Sequence, residues 1–387
     1  MKAILVTYDK FPDMDAGAVR EHMIANMLRD RDYDVMVVSM GPYTGKRICE
    51  IEGIKYISYR FKNEKKISKI LAYMLFPYRL KMLLNKYNCD ICIHTQVEKN
   101  VLNIMKKYCK KHKATIVYDA VEWFSPEQFK NKEKAFGYRK NNEYNLHLID
   151  EQHKVISISR YLEKHFINRN IENIYMPVVM DINQVNADKN IDDDKVRIVY
   201  AGSPGKKDYL KVIVDALYRL DTLQRKRISF VIIGCTKLEL INICGIDENI
   251  LLELKEMLDV KGRISREKVI DEYKNADFSI FIRSQKQRYA MAGFPTKFVE
   301  SISTSTPVIC NLTSDLKEYM IDCVNGIVVK DETVESCYEA FEKVLLLDKA
   351  LIKTMQQNAR KMAETKFDYH KYTEKVVNFM EREKKND

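Results

Sequence analysis

The chain has 387 residues, of which 46% are hydrophobic and 31% charged, with only 12 Gly and 8 Pro. That composition excludes a disordered, collagen-like or low-complexity protein, and the length suits two or three domains of about 100–200 residues each. The formal net charge is +10, unevenly placed: residues 1–190 carry 32 Lys plus Arg against 23 Asp plus Glu, a surplus of +9, and residues 191–387 carry +1. A basic half beside a neutral half predicts that one domain meets an anionic surface or ligand.

The chain begins Met1-Lys2-Ala3-Ile4-Leu5-Val6-Thr7-Tyr8-Asp9. Its apolar stretch is too short for a signal peptide and reads as a first strand. The longest apolar run, Ile70 to Phe76, is closed by Pro77 and falls far short of the about 20 residues a spanning helix needs. The nine cysteines are odd in number and scattered, which predicts reduced thiols in a cytoplasmic protein. Cys89 and Cys92 form a lone CxxC, read as strand packing rather than a metal or redox site.

Short apolar runs alternate with helical patterns. The strand-like runs of the first half are Ala3–Tyr8, Asp34–Met40, Ile91–His94, Thr115–Tyr118 and Lys154–Ile158. Those of the second half are Arg197–Tyr200, Ser229–Gly234, Phe278–Ile282, Pro307–Cys310 and Gly326–Val329. Rich in Val and Ile and without alternation, they suit strands buried on both faces of a parallel sheet. Ala18–Asp30, Lys99–Lys111, Asp208–Leu220 and Ser265–Ala276 carry helical spacing. The βαβα order predicts an α/β fold of two doubly wound, Rossmann-like domains, with a polar boundary from Met180 to Asp194. Such sheets bind ligands at the carboxyl ends of their strands, so the active site is expected where two sheets face across a cleft.

The most informative stretch follows Phe278–Ile282. A basic loop with Arg283 and Arg288 leads through Gly293-Phe294-Pro295 into a helix with Thr296 and Lys297 in its first turn and Glu300 one turn in. Such a helix start binds phosphate oxygens, and the glutamate can accept from a vicinal diol such as a ribose. A second landmark is Tyr200-Ala201-Gly202-Ser203-Pro204-Gly205-Lys206-Lys207-Asp208, a small-residue loop after a strand; a third is Val260-Lys261-Gly262-Arg263-Ile264-Ser265. In the first half, Asp15-Ala16-Gly17-Ala18-Val19-Arg20 opens a helix, and Tyr118-Asp119-Ala120-Val121-Glu122-Trp123-Phe124 follows a buried strand and holds the single Trp. Asp13-Met14-Asp15 has the outline of a metal-binding DxD but reads as loop solvation, so no metal is expected.

The block from Arg283 to Ser301, with Thr306-Pro307-Val308 and Asn325-Gly326 after it, resembles the donor half of GT-B glycosyltransferases of family 4, the retaining group that uses nucleotide sugars. The resemblance implies two domains, 1–180 on the acceptor side and 181–365 on the donor side, with 366–387 forming a helix that crosses back to the first. It implies that Glu300 holds the ribose, that Lys206 or Lys207 (the latter favoured) neutralises the donor diphosphate, and that Ser203 stands where the family has an Arg. Arg283 is the candidate for that missing charge. It further implies that Arg263 and Ile264 hold the base through backbone groups, that Gly17 and Arg20 lie near the diphosphate, and that the family's first glutamate falls on Ala292. Backbone N–H groups of Gly293 and Phe294, with Pro295 and Thr296, are the candidates that take over there. Asp119 or Glu122 orients a sugar or acceptor hydroxyl, and Trp123 and Phe124 stack on a sugar or pack the domain. His94 is a lesser candidate.

The expected reaction is sugar transfer from a nucleotide sugar, UDP-linked in preference to GDP-linked and with no other cofactor, to a glycan or lipid-diphosphate-linked acceptor in bacterial surface-polysaccharide assembly. The expected place is the inner face of the plasma membrane. The basic amphipathic stretch from Arg60 to Lys86 reads either as an anionic-membrane docking face or as helix packing on the sheet. Rival readings are a non-catalytic sugar-nucleotide-binding subunit, a GT-B sugar-nucleotide epimerase and, more distantly, a basic nucleic-acid-binding protein, for which no RNP-like run, zinc finger or basic heptad is found.

Overall fold

The computed structural model describes residues 1–12, 15–41, 44–45, 47–59, 66–189, 195–203, 205 and 207–381. Asp13, Met14, Lys206 and the segment Arg60 to Lys65 lie outside the described residues. The chain divides into two units: Met1–Met180 with Tyr369–Asp387, and Asp181–Asp368.

The first unit is an eight-stranded sheet. Its strands are β1 (Lys2–Thr7), β2 (Asp34–Ser39), β3 (Cys49–Ile51), β4 (Ile54–Ser58), β5 (Ile91–His94), β6 (Thr115–Ala120), β7 (His153–Ser157) and β8 (Asn173–Tyr175). Their order is β3-β4-β2-β1-β5-β6-β7-β8, and all pair in parallel except β3 with β4. Leu5 of β1 lies opposite Val37 on one side and Ile93 on the other. Side chains 3–7 are all buried, as unbroken apolar strands covered on both faces require. Chain order reverses between β1 and β5, the position where doubly wound sheets open a ligand crevice.

Helices α1 (Ala16–Arg29), α2 (Lys66–Tyr87) and α3 (Lys99–His112) connect the strands. On α3, Val101, Leu102, Met105, Tyr108 and Cys109 are buried on one face, leaving its lysines outward. The helix His370–Glu381 returns to this unit. Val376, Val377, Phe379 and Met380 join the core that contains Ile24 and Leu28 of α1. Lys154, almost fully buried, donates to the Phe379 carbonyl at 2.7 Å, a cation placed at a helix C-terminus where the dipole favours it.

The second unit has six parallel strands, β9 (Val196–Ala201), β10 (Ile228–Ile233), β11 (Leu258–Gly262), β12 (Phe278–Phe281), β13 (Val308–Asn311) and β14 (Gly326–Val329). Their order is β11-β10-β9-β12-β13-β14, so chain order reverses between β9 and β12. Four strands escape the hydrophobic-run reading. They are β3, β4, β8 and β11, of which β3, β8 and β11 are sheet edges. β3 and β8 are only three residues long, too short to form a run, and β3 and β11 have no buried position. Every residue of β11 is only partly covered or exposed.

Candidate functional site

In the second unit, three charged side chains from distant parts of the chain meet where the strand order reverses. Arg283, just past β12, donates from Nε to Asp208 Oδ1 at 2.8 Å. Lys297, in the first turn of the helix Thr296–Ser303, pairs with the other oxygen of Asp208. The Tyr200 hydroxyl also donates to that oxygen, at 3.0 Å. Lys297 stands over the Tyr200 ring, 4.6 Å from its centroid. Asn311 brackets the loop: its side chain accepts from Arg283 N at 3.0 Å and donates to Arg283 O at 2.6 Å.

Two cations therefore share one carboxylate, and the cluster keeps a surplus positive charge. Burial opposes ionisation of Asp208, yet Lys297 and Arg283 hold its carboxyl well below the usual carboxylate range. Burial also pulls on Arg283, but Asp208 raises its guanidinium above the ordinary value. Burial leaves Lys297 below an ordinary lysine despite Asp208. The backbone beside the cluster is equally constrained. A Cβ on Gly202 would lie 2.7 Å from Lys297 Nζ and 2.8 Å from the Tyr200 hydroxyl. Gly234 sits at φ +101°, and a Cβ there would fall 2.2 Å from the Gly202 carbonyl oxygen. Only glycine combines that φ with so close a backbone approach.

Glu300, on the same helix as Lys297, pairs with Arg266 at 3.4 Å. Arg266 opens the helix that follows the Arg263–Ile264 loop, so Glu300 is tied to the residue two positions beyond that loop. The Ile264 side chain packs against the cluster of Val199, Val231 and Tyr273. Arg263 is exposed and spends its guanidinium on Glu239, at 2.6 and 3.1 Å.

Several expected site residues of this unit already have structural partners. The N–H of Gly293 already donates to the Tyr289 carbonyl at 3.0 Å and is not free for a donor. The Phe294 side chain is a core anchor, edge-on to Tyr319 at 5.8 Å and beside Phe367. Arg283 and Lys297 are not bare cations but halves of one buried network. Ala292, where the related glutamate would stand, is fully buried. Pro295 is the N-cap of the helix, Ser203 is exposed, Lys207 is half-buried, and the Lys207 carbonyl accepts from the Tyr289 hydroxyl at 2.6 Å.

In the first unit, Arg20 and Asp119 also prove to be each other's partners. Arg20 donates to both Asp119 oxygens, at 2.8 to 3.1 Å, and to the Pro177 carbonyl at 2.6 Å. Both are at most 2% exposed. This bidentate pair ties α1 to β6. Arg20, expected near the diphosphate, and Asp119, expected to orient a hydroxyl, are thus held by each other. Trp123 is buried, donates to Asn142 at 2.9 Å and packs on His165 with ring centroids 4.4 Å apart; it packs the domain. His94 is fully buried with Nδ1 2.8 Å from the Thr95 carbonyl, and burial takes its pKa down to about 3.

The crevice beside β1 holds a feature that sequence reasoning missed. Asp9 and Glu21 lie against each other under the first turn of α1. A Cβ on Gly17 would fall 2.2 Å from Asp9 Oδ2, so any larger residue there must displace the Asp9 carboxylate. Asp15 caps the helix, accepting from Ala18 N at 2.9 Å. Burial, helped by Asp15, Glu122 and Asp119, raises Asp9 to about 6. Burial and Asp9 push Glu21 well above the usual range. Glu122, half-buried, belongs to this acidic group.

Residues 181–362, which lie within the second unit, match the family model described as Glycosyl transferases group 1. No curated protein matches the chain in sequence. Among solved structures, sucrose-phosphate synthase from Thermosynechococcus elongatus superposes with a TM-score of 0.76 at 12% identity, covering 97% of each chain. HepE from Anabaena, in complex with UDP, has a TM-score of 0.70 at 14% identity, covering 98% of this chain and 99% of its own. WaaG, a glycosyltransferase involved in lipopolysaccharide biosynthesis, has a TM-score of 0.70 at 15% identity, covering 98% and 100%. Both units thus have the Rossmann-like α/β architecture of GT-B glycosyltransferases.

Proposed function

We propose that the chain is a retaining glycosyltransferase of family 4. In this reading it moves a sugar from a nucleotide-sugar donor, UDP-linked in preference to GDP-linked, to a glycan or lipid-diphosphate-linked acceptor in bacterial surface-polysaccharide assembly. The observation that carries the proposal is the surplus positive charge of Arg283, Lys297 and Asp208 at the reversal point of the second sheet, beside the start of the helix Thr296–Ser303. The donor diphosphate lies against that helix start and the Ser203–Lys207 loop. Glu300 takes the ribose hydroxyls, and the Arg263–Ile264 backbone takes the base. UDP in the HepE complex supports a uridine donor, and the role in the name of WaaG supports a surface-glycan product.

The bond that breaks joins the anomeric carbon to the diphosphate oxygen. Charge developing on the leaving phosphate is stabilised by Lys297, Lys207 and the helix dipole. The acceptor hydroxyl forms the new glycosidic bond on the same face, and the departing phosphate takes its proton. With Asp119 occupied by Arg20, Glu122 is the carboxylate of that loop assigned to orient the acceptor. Buried Ala292 favours a second reading, a donor-binding subunit without turnover, which assays with a lipid-diphosphate acceptor separate from the first.

Among the described residues no helix is long and apolar enough to cross a membrane. Instead α2 is apolar on two faces. Ala72, Phe76, Leu80 and Leu84 are buried, while Ile70, Met74, Tyr78 and Met82 are exposed along the opposite side, Met74 by 70%. Residues 66–87 include no acidic side chain and five basic ones. An apolar stripe flanked by cations suits peripheral docking on an anionic inner-membrane surface.

Thermal shift against UDP-, GDP- and CMP-sugars tests the function. Stabilisation by one sugar nucleotide is expected. No shift with any of them, together with salt-sensitive RNA binding, contradicts it.

A further inference from the structure

The first unit contains a cavity of about 450 Å3 that the reaction above leaves unused. It lies beyond the end of β5, between the start of α3 and the helix Phe136–Glu143. Its charged walls are Glu98, Lys99, Arg139, Lys140 and Glu143, and Phe136 lies among them.

The charges are distributed unequally. Lys99 pairs with Glu143 at 3.1 Å, and Lys140 pairs with Glu98 at 2.6 Å. Both carboxylates are thereby taken. Arg139 is exposed and has no ion pair among the described residues, so its guanidinium is the uncompensated charge of the cavity. Its planar fork matches a phosphate or carboxylate better than a point charge does. Phe136 is 80% exposed and presents an aromatic surface at the same place.

One ring links this cavity to the apolar stripe of α2. Tyr8 packs edge-on against Tyr73 and Phe76 of α2, with centroids 5.6 and 5.7 Å apart. On its other side the Tyr8 hydroxyl accepts from Glu98 N at 3.3 Å, and Lys140 Nζ stands 5.9 Å from its ring centroid. A basic, partly aromatic cavity thus adjoins an exposed apolar helix face through a single residue. That juxtaposition fits a molecule with an anionic head and an apolar tail.

We infer that this cavity binds the phosphate or diphosphate head group of a lipid-linked glycan, with Arg139 as its counter-ion and Phe136 as the wall for the adjoining sugar, while the lipid runs past Tyr73 onto the exposed face of α2. The inference rests on the proposed lipid-linked acceptor and assigns the residues that select it.

The test is titration calorimetry of the full chain with farnesyl diphosphate below its micellar concentration, in excess UDP to occupy the second unit. Parallel arms use inorganic diphosphate and farnesol. Farnesyl diphosphate is expected to bind more tightly than either, and Arg139→Ala to weaken it about tenfold, the scale of a lost charge-assisted contact. Phe136→Ala should keep farnesyl diphosphate binding and lose preference for its glycosylated counterpart. Equal affinity in wild type and Arg139→Ala overturns the inference. Inorganic diphosphate matching farnesyl diphosphate, with the same Arg139 dependence, overturns the lipid assignment in favour of a free-phosphate site. UDP affinity unchanged in Arg139→Ala shows that the variant is folded, and separates failure here from failure of the glycosyltransferase reading.

Discussion

Asp208 decides how the proposed donor site works. It fixes Arg283 and Lys297 in place while cancelling one of their two charges. Removing one member of a buried ion pair is costly because the rest are left uncompensated. Asp208→Asn should therefore lower stability by about 3 kcal/mol. UDP should then raise the Tm of the variant more than that of wild type, because a bound diphosphate replaces the lost counter-ion. Differential scanning fluorimetry reads both quantities; equal gains would count against phosphate binding at this cluster. Asp9 carries the second prediction at this scale. Burial raises its pKa to about 6, so in the window between the unfolded value near 4 and about 6 the folded state holds more protons than the unfolded state. Its contribution to stability is complete below that window and is lost as pH rises through it. Asp9→Asn should remove this slope and stabilise the protein above pH 6 by roughly 1–2 kcal/mol, measurable by urea unfolding across that range. A variant no more stable at pH 8 than wild type would contradict the assignment.

At the scale of elements, strands with mostly buried residues were legible in the sequence, including the edge strand β14, while the partly exposed β3 and β11 were not. β1, β2, β5, β9, β12 and β13 stand out because most of their residues are apolar and buried. β3 and β11 have exposed or half-covered positions throughout, so nothing in their composition sets them apart from loops. The site was legible as segments but not as partners. Loop 200–208, Arg283 and the Thr296 helix stand out locally. That Asp208 meets residues 283 and 297, or that Arg20 meets Asp119, depends on strand order and not on any local pattern. The double character of α2 was half legible: its cations and apolar residues are plain in the chain, but which of two apolar faces is covered is decided only by packing. Because Met74 and Met82 are exposed, Met74→Glu with Met82→Glu should leave Tm within about 1 °C, surface substitutions being close to neutral. Flotation on phosphatidylglycerol-containing vesicles should be lost. Flotation unaffected by the charges, or equal on pure phosphatidylcholine, would remove α2 from the membrane.

For the whole molecule, the uneven charge takes on a structural meaning. The near-neutral second unit needs few local cations, because Arg283, Lys297 and a helix start concentrate them where the strand order reverses. The basic surplus belongs to the first unit, with the acid-free α2 and the Arg139 cavity. That unit is closed by residues from the far end of the chain: Val376, Val377, Phe379 and Met380 complete its core, the Tyr369 hydroxyl donates to Asp30 at 2.9 Å, and the Tyr33 hydroxyl to Glu381 at 2.9 Å. Deleting residues 369–387 should expose that core and destabilise the first unit while the second still unfolds cooperatively, as two calorimetric transitions of which one is lost. The most direct test of the central claim is isothermal titration of UDP into the full chain and into Lys297→Met, which leaves Asp208 paired with Arg283. UDP should bind wild type, and the variant should bind at least about tenfold more weakly with its fold intact. Equal affinities, or no binding of any nucleoside diphosphate, would contradict it.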